Sequence, residues 1–541
     1  MKPASLVQGL AMLVLCAAWP VLDFAVANLS DQSFQPAKLI VYFGALLAMG
    51  VVVSLLAKLV RPRWNLGTVF SAAGGGLAVL FNYNLIARTV EVLPTKFNGE
   101  VLSLIAFVIF FLAAVTLVTF LSRKGSIIAA VVFGLGIMTA HNGFVVGKHL
   151  FFSEAGRASL ASSTAKTRNW PSDVSRLSVN RHYKGSAAER PANVYFIIPD
   201  MFMSENEYVR MTGKPYEMDD YLRNQGFKVL DNHYSNAPVT RFSLAHVFGQ
   251  KYFVEEGGKP KITAEMQKFL PWRINNDVTA EFRKRGYNIF NYIDAYVNPE
   301  CDKLADFCFS KASFIGNQDL VFLERAPFFD LVLLSGSDKL AIWRRLLTYS
   351  GRYEIPEILA SLPKKGASPH FTYIHSGLPH SPYRFTADCT YYDAYPPIRK
   401  NKYEGSVRAY ANQVDCASKL YPQLIDAILK EDPDAMIVFQ ADHGVNYRGQ
   451  ETGANIKALT DDMVAQNLSA ISAYRLPERC QQSLGPDMSP VNTFRVVFAC
   501  LDNREPELLP ARHFLMYYLG WQPSGMIREV TDIINKRKLA D

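Results

Sequence analysis

Five membrane-spanning helices followed by an outer α/β domain is the architecture that the sequence predicts, on three observations. The first third of the chain holds five apolar stretches, each of about the 20 residues a helix needs to cross a hydrocarbon core. The remainder alternates short apolar runs with helix-like segments. Six of the seven cysteines also fall in that remainder, as suits a domain in an oxidising compartment.

Charge and composition agree with this division. The 541 residues are 49% hydrophobic and carry 57 Lys+Arg against 49 Asp+Glu, a formal net charge of +8. Such a chain is too apolar and too long to be disordered or fibrous, and two or more folding units are expected. The first 150 residues account for +6 of the +8, so the basic excess flanks the apolar stretches. A nucleic-acid partner is excluded on this ground, because a phosphate-binding face needs Lys and Arg clustered on a soluble domain.

The apolar stretches cover about 5 to 29, 39 to 59, 67 to 87, 101 to 121 and 126 to 147. A cleaved signal peptide accounts for none of the last four. With a cytoplasmic N-terminus, the inner flanks hold Lys2, Lys58, Arg61, Arg63, Arg123 and Lys124, against Lys38, Arg88 and Lys96 outside. That bias favours this orientation, and five spans then place everything after Lys148 outside the cytoplasm. Asp23 and His141 lie within spans, where an ionisable group is buried in the bundle or sits close to the interface.

The chain divides into a membrane domain (1–148), a connector (149–192) rich in Ser, Ala, Arg and Asn, and the outer domain (193–541). The six outer cysteines suggest disulfides, and sequence proximity makes Cys301 with Cys308, Cys389 with Cys416, and Cys480 with Cys500 the simplest set. A zinc knot is the rival reading, but no two of them form a C-x-x-C pair. The runs NVYFII (193–198), YNIFNYI (287–293), HFTYIH (370–375) and AMIVFQ (435–440) read as buried strands. Segments 207–226, 278–286 and 407–431 read as helices. The alternation predicts a largely parallel sheet covered by helices on both faces.

Ligands of such sheets collect at the carboxyl ends of the strands, so the residues after each run carry the functional information. Asp200 follows the first run, His380 follows HFTYIH and its His375, and Asp442, His443 and Gly444 follow AMIVFQ. Asp200 alone is equally a helix cap. The run FQADHG is more specific, since adjacent Asp and His leaving a buried strand can both reach one ion. A carboxylate with an imidazole suits Zn²⁺ or Mn²⁺ better than Ca²⁺ or Mg²⁺. Thr240 comes after the turn residues Ser235, Asn236 and Pro238 and before the apolar FSLAHVF, near a helix N-terminus that favours anions. It is a candidate nucleophile, or only an N-cap.

These residues, in NVYFIIPD, SNAPVTRFSLAHVF, HSGLPHSPY and ADHG, resemble the alkaline phosphatase and sulfatase superfamily. Within it they resemble the membrane-anchored phosphoethanolamine and phosphoglycerol transferases, including lipoteichoic acid synthase. The resemblance covers about 193–500, and SPVNTFRVVF (489–498) is similar to a late segment of a sulfatase-like branch. It implies an α/β/α sandwich of alkaline phosphatase type in the periplasm or outside the cell, on a bacterial inner-membrane anchor. It also implies a divalent metal, zinc first and manganese second, held by Asp200, Thr240, Asp442 and His443, with Thr240 as the nucleophile. His380 and His375 would contact phosphate or a second metal; Arg448, in the stretch where the family's further His is missing, is either a stand-in phosphate contact or a solvated surface residue. The donor would be a membrane phospholipid and the acceptor an envelope glycan or lipid.

Two departures qualify the resemblance. The transferases carry a further His shortly after the Asp-His pair, and VNYRGQETGANIK here has none, which weighs against a full second metal site. Sulfatases proper need a Cys or Ser in a C/S-x-P/A-x-R context, whereas this chain shows Thr240-Arg241-Phe242-Ser243, so sulfate ester hydrolysis is not expected. The rival functions are a metal-dependent phosphodiesterase or phosphatase, and a non-catalytic lipid-sensing protein of the same fold.

Overall fold

The structure is a computed structural model that describes residues 3–29, 35–91, 99–152, 183, 190–254, 276–293, 304–309, 317–323, 325–327, 355–366, 368–381, 383, 385–390, 403–445, 459–519 and 522–539. The chain forms two units, one of Met1–Thr167 with Asn317–Leu347, the other of Arg168–Gly316 with Thr348–Asp541.

In the first unit the apolar stretches become helices α1 (Leu6–Asn28), α2 (Ala37–Val60), α3 (Leu66–Leu80), α4 (Tyr83–Glu91), α5 (Gly99–Leu121) and α6 (Gly125–Phe152). Four of them, α1, α2, α5 and α6, are long and apolar enough to cross a membrane. The stretch expected as a third span, 67 to 87, is divided instead. Its first part, α3, has 15 residues and ends where the Asn82 side chain donates to Ala78 O at 2.6 Å, taking up a carbonyl that a continuing helix would use. Gly9 and Gly67 let α1 and α3 approach closely, since a Cβ on Gly9 would lie 2.4 Å from Gly67 O. Small residues at such a crossing are the usual means of packing apolar helices.

The chain returns to this unit in a short helix, Asn317–Leu323. Asp319 pairs with Lys38 and with the Tyr42 hydroxyl at 2.5 Å each, and the Phe322 ring stacks on Tyr42 with centroids 4.3 Å apart. Arg325 donates to Pro20 O at 2.7 Å and pairs with Asp23. The ionisable group expected to be troublesome within the first span is thus satisfied by an arginine from more than 300 residues later in the chain.

The second unit is built on a seven-stranded sheet of order β2-β7-β6-β1-β5-β3-β4. The strands are β1 (Val194–Pro199), β2 (Lys228–Val229), β3 (Asn288–Ile293), β4 (Phe307–Phe309), β5 (His370–Ser376), β6 (Met436–Gln440) and β7 (Ser472–Arg475). β1 pairs in parallel with β5 and β6, and only β7 runs against its neighbours. The four predicted strands are the four central ones, each a continuous apolar run because both of its faces are covered. Tyr195, Ile197 and Ile437 pack into one core, while Val194, Phe196 and Val438 pack into another. The period of two along each strand therefore feeds two layers, giving the expected α/β/α sandwich. A separate hairpin pairs β8 (Phe514–Leu519) with β9 (Gln522–Glu529).

The helices that matter for the site are α7 (Glu205–Thr212), α8 (Met218–Asn224), α9 (Thr240–Gly249) and α10 (Tyr403–Glu431). The segment 207–226, expected as one helix, is interrupted at Gly213 with φ +76°, a left-handed conformation that glycine adopts without strain. Disulfides join Cys389 to Cys416 and Cys480 to Cys500. Cys308 is also disulfide-bonded, and Cys301 lies outside the described residues.

Besides His375 and His443, four histidines that lie away from the carboxyl ends of β1 and β6, His233, His246, His370 and His513, are buried in this unit. Burial penalises the imidazolium and lowers them to about 3, about 4, about 3 and about 4 respectively. Between the ordinary value of about 6.5 and about 4, the unfolded chain binds protons that the folded one refuses, so stability falls as pH drops. Asp219, pushed up to about 7 chiefly by burial and then by Glu205, works in the opposite sense, as do the more exposed Glu205 and Asp415 carboxyls that burial also raises, but the four fully buried histidines outnumber them. The thermal midpoint of the full-length protein in detergent is expected to fall from about pH 7 to about pH 4.5. A midpoint that holds or rises over that range would show the histidines to be solvated.

Candidate active site

Three chain segments converge at the carboxyl ends of β1, β5 and β6. β1 ends at Pro199, and the Asp200 N–H donates to Ser376 O at 3.0 Å, joining the ends of β1 and β5. β6 ends at Gln440, and the chain then turns through Asp442, His443 and Gly444. Gly444 lies so close to the neighbouring chain that an added Cβ would stand 2.0 Å from Gln466 O and 2.5 Å from Ser469 O. Only glycine fits there, and that close approach sets the direction in which His443 leaves the strand.

Asp200, Asp442 and His443 each offer a ligand atom within 4.8 Å of the others, and all three are buried. The His443 Nδ1 lies 2.8 Å from Gly444 O. A carbonyl only accepts, so Nδ1 carries the proton and the lone pair is on Nε2, turned toward Asp442 Oδ2 at 3.4 Å and Asp200 Oδ1 at 3.7 Å. Two carboxylates and an imidazole lone pair converging in a buried space match the donor set of a zinc or manganese ion. These residues therefore fit such an ion. Burial works against the Asp442 carboxylate. When the His443 and His375 rings are protonated, their charge, with the Thr240 hydroxyl and the Met201 N–H, nevertheless holds it below the usual range.

Thr240 is the first residue of α9, and its hydroxyl donates to His443 Nε2 at 3.2 Å. The N-cap position belongs to Val239, and no side chain caps the helix, so the hydroxyl is turned into the cluster and not onto the helix end. Thr240 is half-buried, which leaves it within reach from solvent. The preceding turn is pinned from far along the chain. The Asn236 side chain donates to Ser489 Oγ at 2.7 Å and Arg512 O at 2.8 Å, and it accepts from Val491 N–H at 2.9 Å. The SPVNTF segment singled out in the sequence thus supports the Thr240 turn. Ser243 is fully buried and lies within the packed face of the helix.

His375 is fully buried, with Nε2 3.5 Å from Asp200 Oδ2. His380 is half-buried, its ring centroid 6.3 Å from that of His443, and its Nδ1 is bonded to Ser381 O. Arg448 lies outside the described residues. Sequence reasoning passed over Tyr373, whose hydroxyl lies 3.1 Å from His375 Nδ1. The spacing of two along β5, which puts Tyr373 and His375 on one face, was the available signal.

The sulfatase family model matches residues 192–464. No curated protein sequence matches the chain. Among solved structures, the C-terminal periplasmic domain of EcEptC from Escherichia coli is 12% identical with a TM-score of 0.39, covering 65% of this chain and 96% of that one. The integral membrane protein lipooligosaccharide phosphoethanolamine transferase A from Neisseria meningitidis is 14% identical with a TM-score of 0.36, covering 93% and 96%. The lipoteichoic acid synthase LtaP from Listeria monocytogenes is 11% identical with a TM-score of 0.36, covering 66% and 85%. The matched family region takes in just over half of the 541 residues, with Asp200, Thr240, His375, His380, Asp442 and His443 all inside it, and the chain belongs to the sulfatase family.

Proposed function

We propose that this protein is a metal-dependent transferase that moves a phospho-alcohol group, phosphoethanolamine or phosphoglycerol, from a membrane phospholipid to an envelope glycan or lipid. The reading places the outer domain in the periplasm or outside the cell, anchored in a bacterial inner membrane by the apolar helices. The observation that carries it is the Thr240 hydroxyl at a helix N-terminus, 3.2 Å from His443 Nε2 and beside the carboxylates of Asp200 and Asp442. A sulfate-ester nucleophile is missing at this position, and threonine suits phosphoryl chemistry. The anchor supports a lipid donor, because a domain tethered to a membrane meets head groups at high effective concentration.

Asp200, Thr240, Asp442 and His443 would hold the ion, which when bound would favour the Thr240 alkoxide and offset charge on the phosphoryl oxygens. Thr240 Oγ forms a bond to the head-group phosphorus as the bond from phosphorus to the diacylglycerol oxygen breaks, and the threonine proton ends on diacylglycerol. In the second half the acceptor hydroxyl displaces Thr240 and its proton returns to Oγ. In this reading His380, half-buried with its ring 6.3 Å from that of His443, orients the phosphate. Asp200 and Asp442 stay buried and exclude water from the ligand side.

The full-length protein in detergent, given a phospholipid with an isotope-labelled head group, should release diacylglycerol. Without acceptor the release should stop near one equivalent, and an envelope extract should restore turnover with label in the acceptor. Sustained turnover to free phospho-alcohol without acceptor would assign the same site to a phosphodiesterase. No release at all would favour a non-catalytic lipid-sensing role.

A further inference from the structure

His375 presents a puzzle: a histidine beside the cluster that substrate cannot touch, since it has 0% exposure. Its Nε2 faces Asp200 Oδ2 at 3.5 Å, and its Nδ1 lies 3.1 Å from the Tyr373 hydroxyl. Nδ1 has the hydroxyl as its hydrogen-bond partner, so when Tyr373 donates to it the proton of a neutral ring sits on Nε2, the nitrogen toward the carboxylate. A neutral ring then has its lone pair on Nδ1, which accepts from the Tyr373 O–H. Asp200 is thereby engaged through Oδ2, while its other oxygen, Oδ1, is the one turned toward His443 at 3.7 Å.

We propose that Tyr373 and His375 form a positioning pair that sets the tautomer of the imidazole and so turns one oxygen of Asp200 toward the metal position. This inference rests on the metal-centre reading above and assigns His375 a role through Asp200, not on phosphate. The backbone supplies the rigidity the task needs. Tyr373 and His375 occupy one face of the central strand β5, which is paired on both sides by β1 and β3. The Tyr373 ring is wedged between Phe248 and Phe196, with centroids 5.5 and 6.1 Å away. Groups that orient a metal ligand in this way are worth about 10- to 100-fold in metal affinity or activity.

The test uses full-length protein in detergent, stripped of metal and titrated with zinc against a fluorescent chelator. Tyr373→Phe keeps the packed ring and removes only the hydroxyl. It is expected to weaken zinc binding about tenfold, with an unchanged melting temperature in the metal-free state and a smaller upward shift on adding zinc. His375→Gln retains an N–H able to reach Asp200 and should bind zinc nearly as wild type, whereas His375→Leu should lose about 10- to 100-fold. At saturating zinc, both weakened variants should lower kcat with little change in donor KM. A phosphate-contact role would instead raise KM and leave zinc affinity alone, and that result would overturn the proposal. Unchanged zinc affinity in both Tyr373→Phe and His375→Leu would overturn it too while leaving the metal centre in place. Failure of the wild type to bind zinc would overturn the metal-centre reading itself.

Discussion

Thr240→Ala is expected to lower transfer by on the order of 10⁴-fold or more, as removal of a covalent nucleophile does elsewhere, with little loss of stability. The reason for the mild structural effect is visible at the helix end. Val239 holds the N-cap position and no side chain caps α9, so the methyl group of alanine disturbs no helix-terminal bond. The bond from Thr240 Oγ to His443 Nε2 is lost, a change of about 1 kcal/mol. Ser243→Ala should keep most of the activity, because that hydroxyl is buried within the helix packing. Mass spectrometry of protein incubated with phospholipid donor should find the phospho-alcohol increment on the peptide containing Thr240. Normal turnover by Thr240→Ala would show that the nucleophile lies elsewhere.

The second large effect is expected from Asp442→Asn. An asparagine oxygen can still accept the Met201 N–H, at 3.3 Å, and the His443 N–H, at 3.0 Å, because both are received by Oδ1. The fold around the end of β6 should therefore survive. The atom that changes is Oδ2, which faces His443 Nε2 at 3.4 Å; there an amide NH₂ repels a cation where a carboxylate held one. Bound divalent metal should fall close to zero and activity should fall by more than about 10²-fold, beyond the loss seen when only an outer partner of a ligand is changed. Elemental analysis beside a thermal melt separates the effects, since the metal-free variant should melt near the metal-free wild type. Active wild-type protein with no divalent metal would sink the mechanism.

What the sequence by itself determined was local. The apolar runs of 193–198, 287–293, 370–375 and 435–440 became β1, β3, β5 and β6 because a strand buried on both faces must be apolar throughout. The candidate ligands were legible for the same reason: Asp200, Asp442 and His443 stand immediately after such runs, where parallel strands open. The cysteine pairs 389 with 416 and 480 with 500 were readable from proximity.

The tertiary structure decided what depends on contacts between distant segments. The division of the third apolar stretch falls at Phe81 and Asn82, where the Asn82 side chain turns back onto Ala78, and no hydropathy window registers such a break. Arg325 reaches Asp23, 302 residues earlier in the chain, only because the chain re-enters the first unit at Asn317. Tyr373 acquires a role only once β1 lies beside β5 and brings Asp200 to His375. In the same way, the Thr240 hydroxyl faces the cluster because residues 489 to 514 pin its turn. Periodicity is written in neighbouring side chains, whereas strand order and the paths of loops are set by long-range packing, which has no local code. For that reason the identities of the site residues could be read along the chain, and their distances, protonation and support could not.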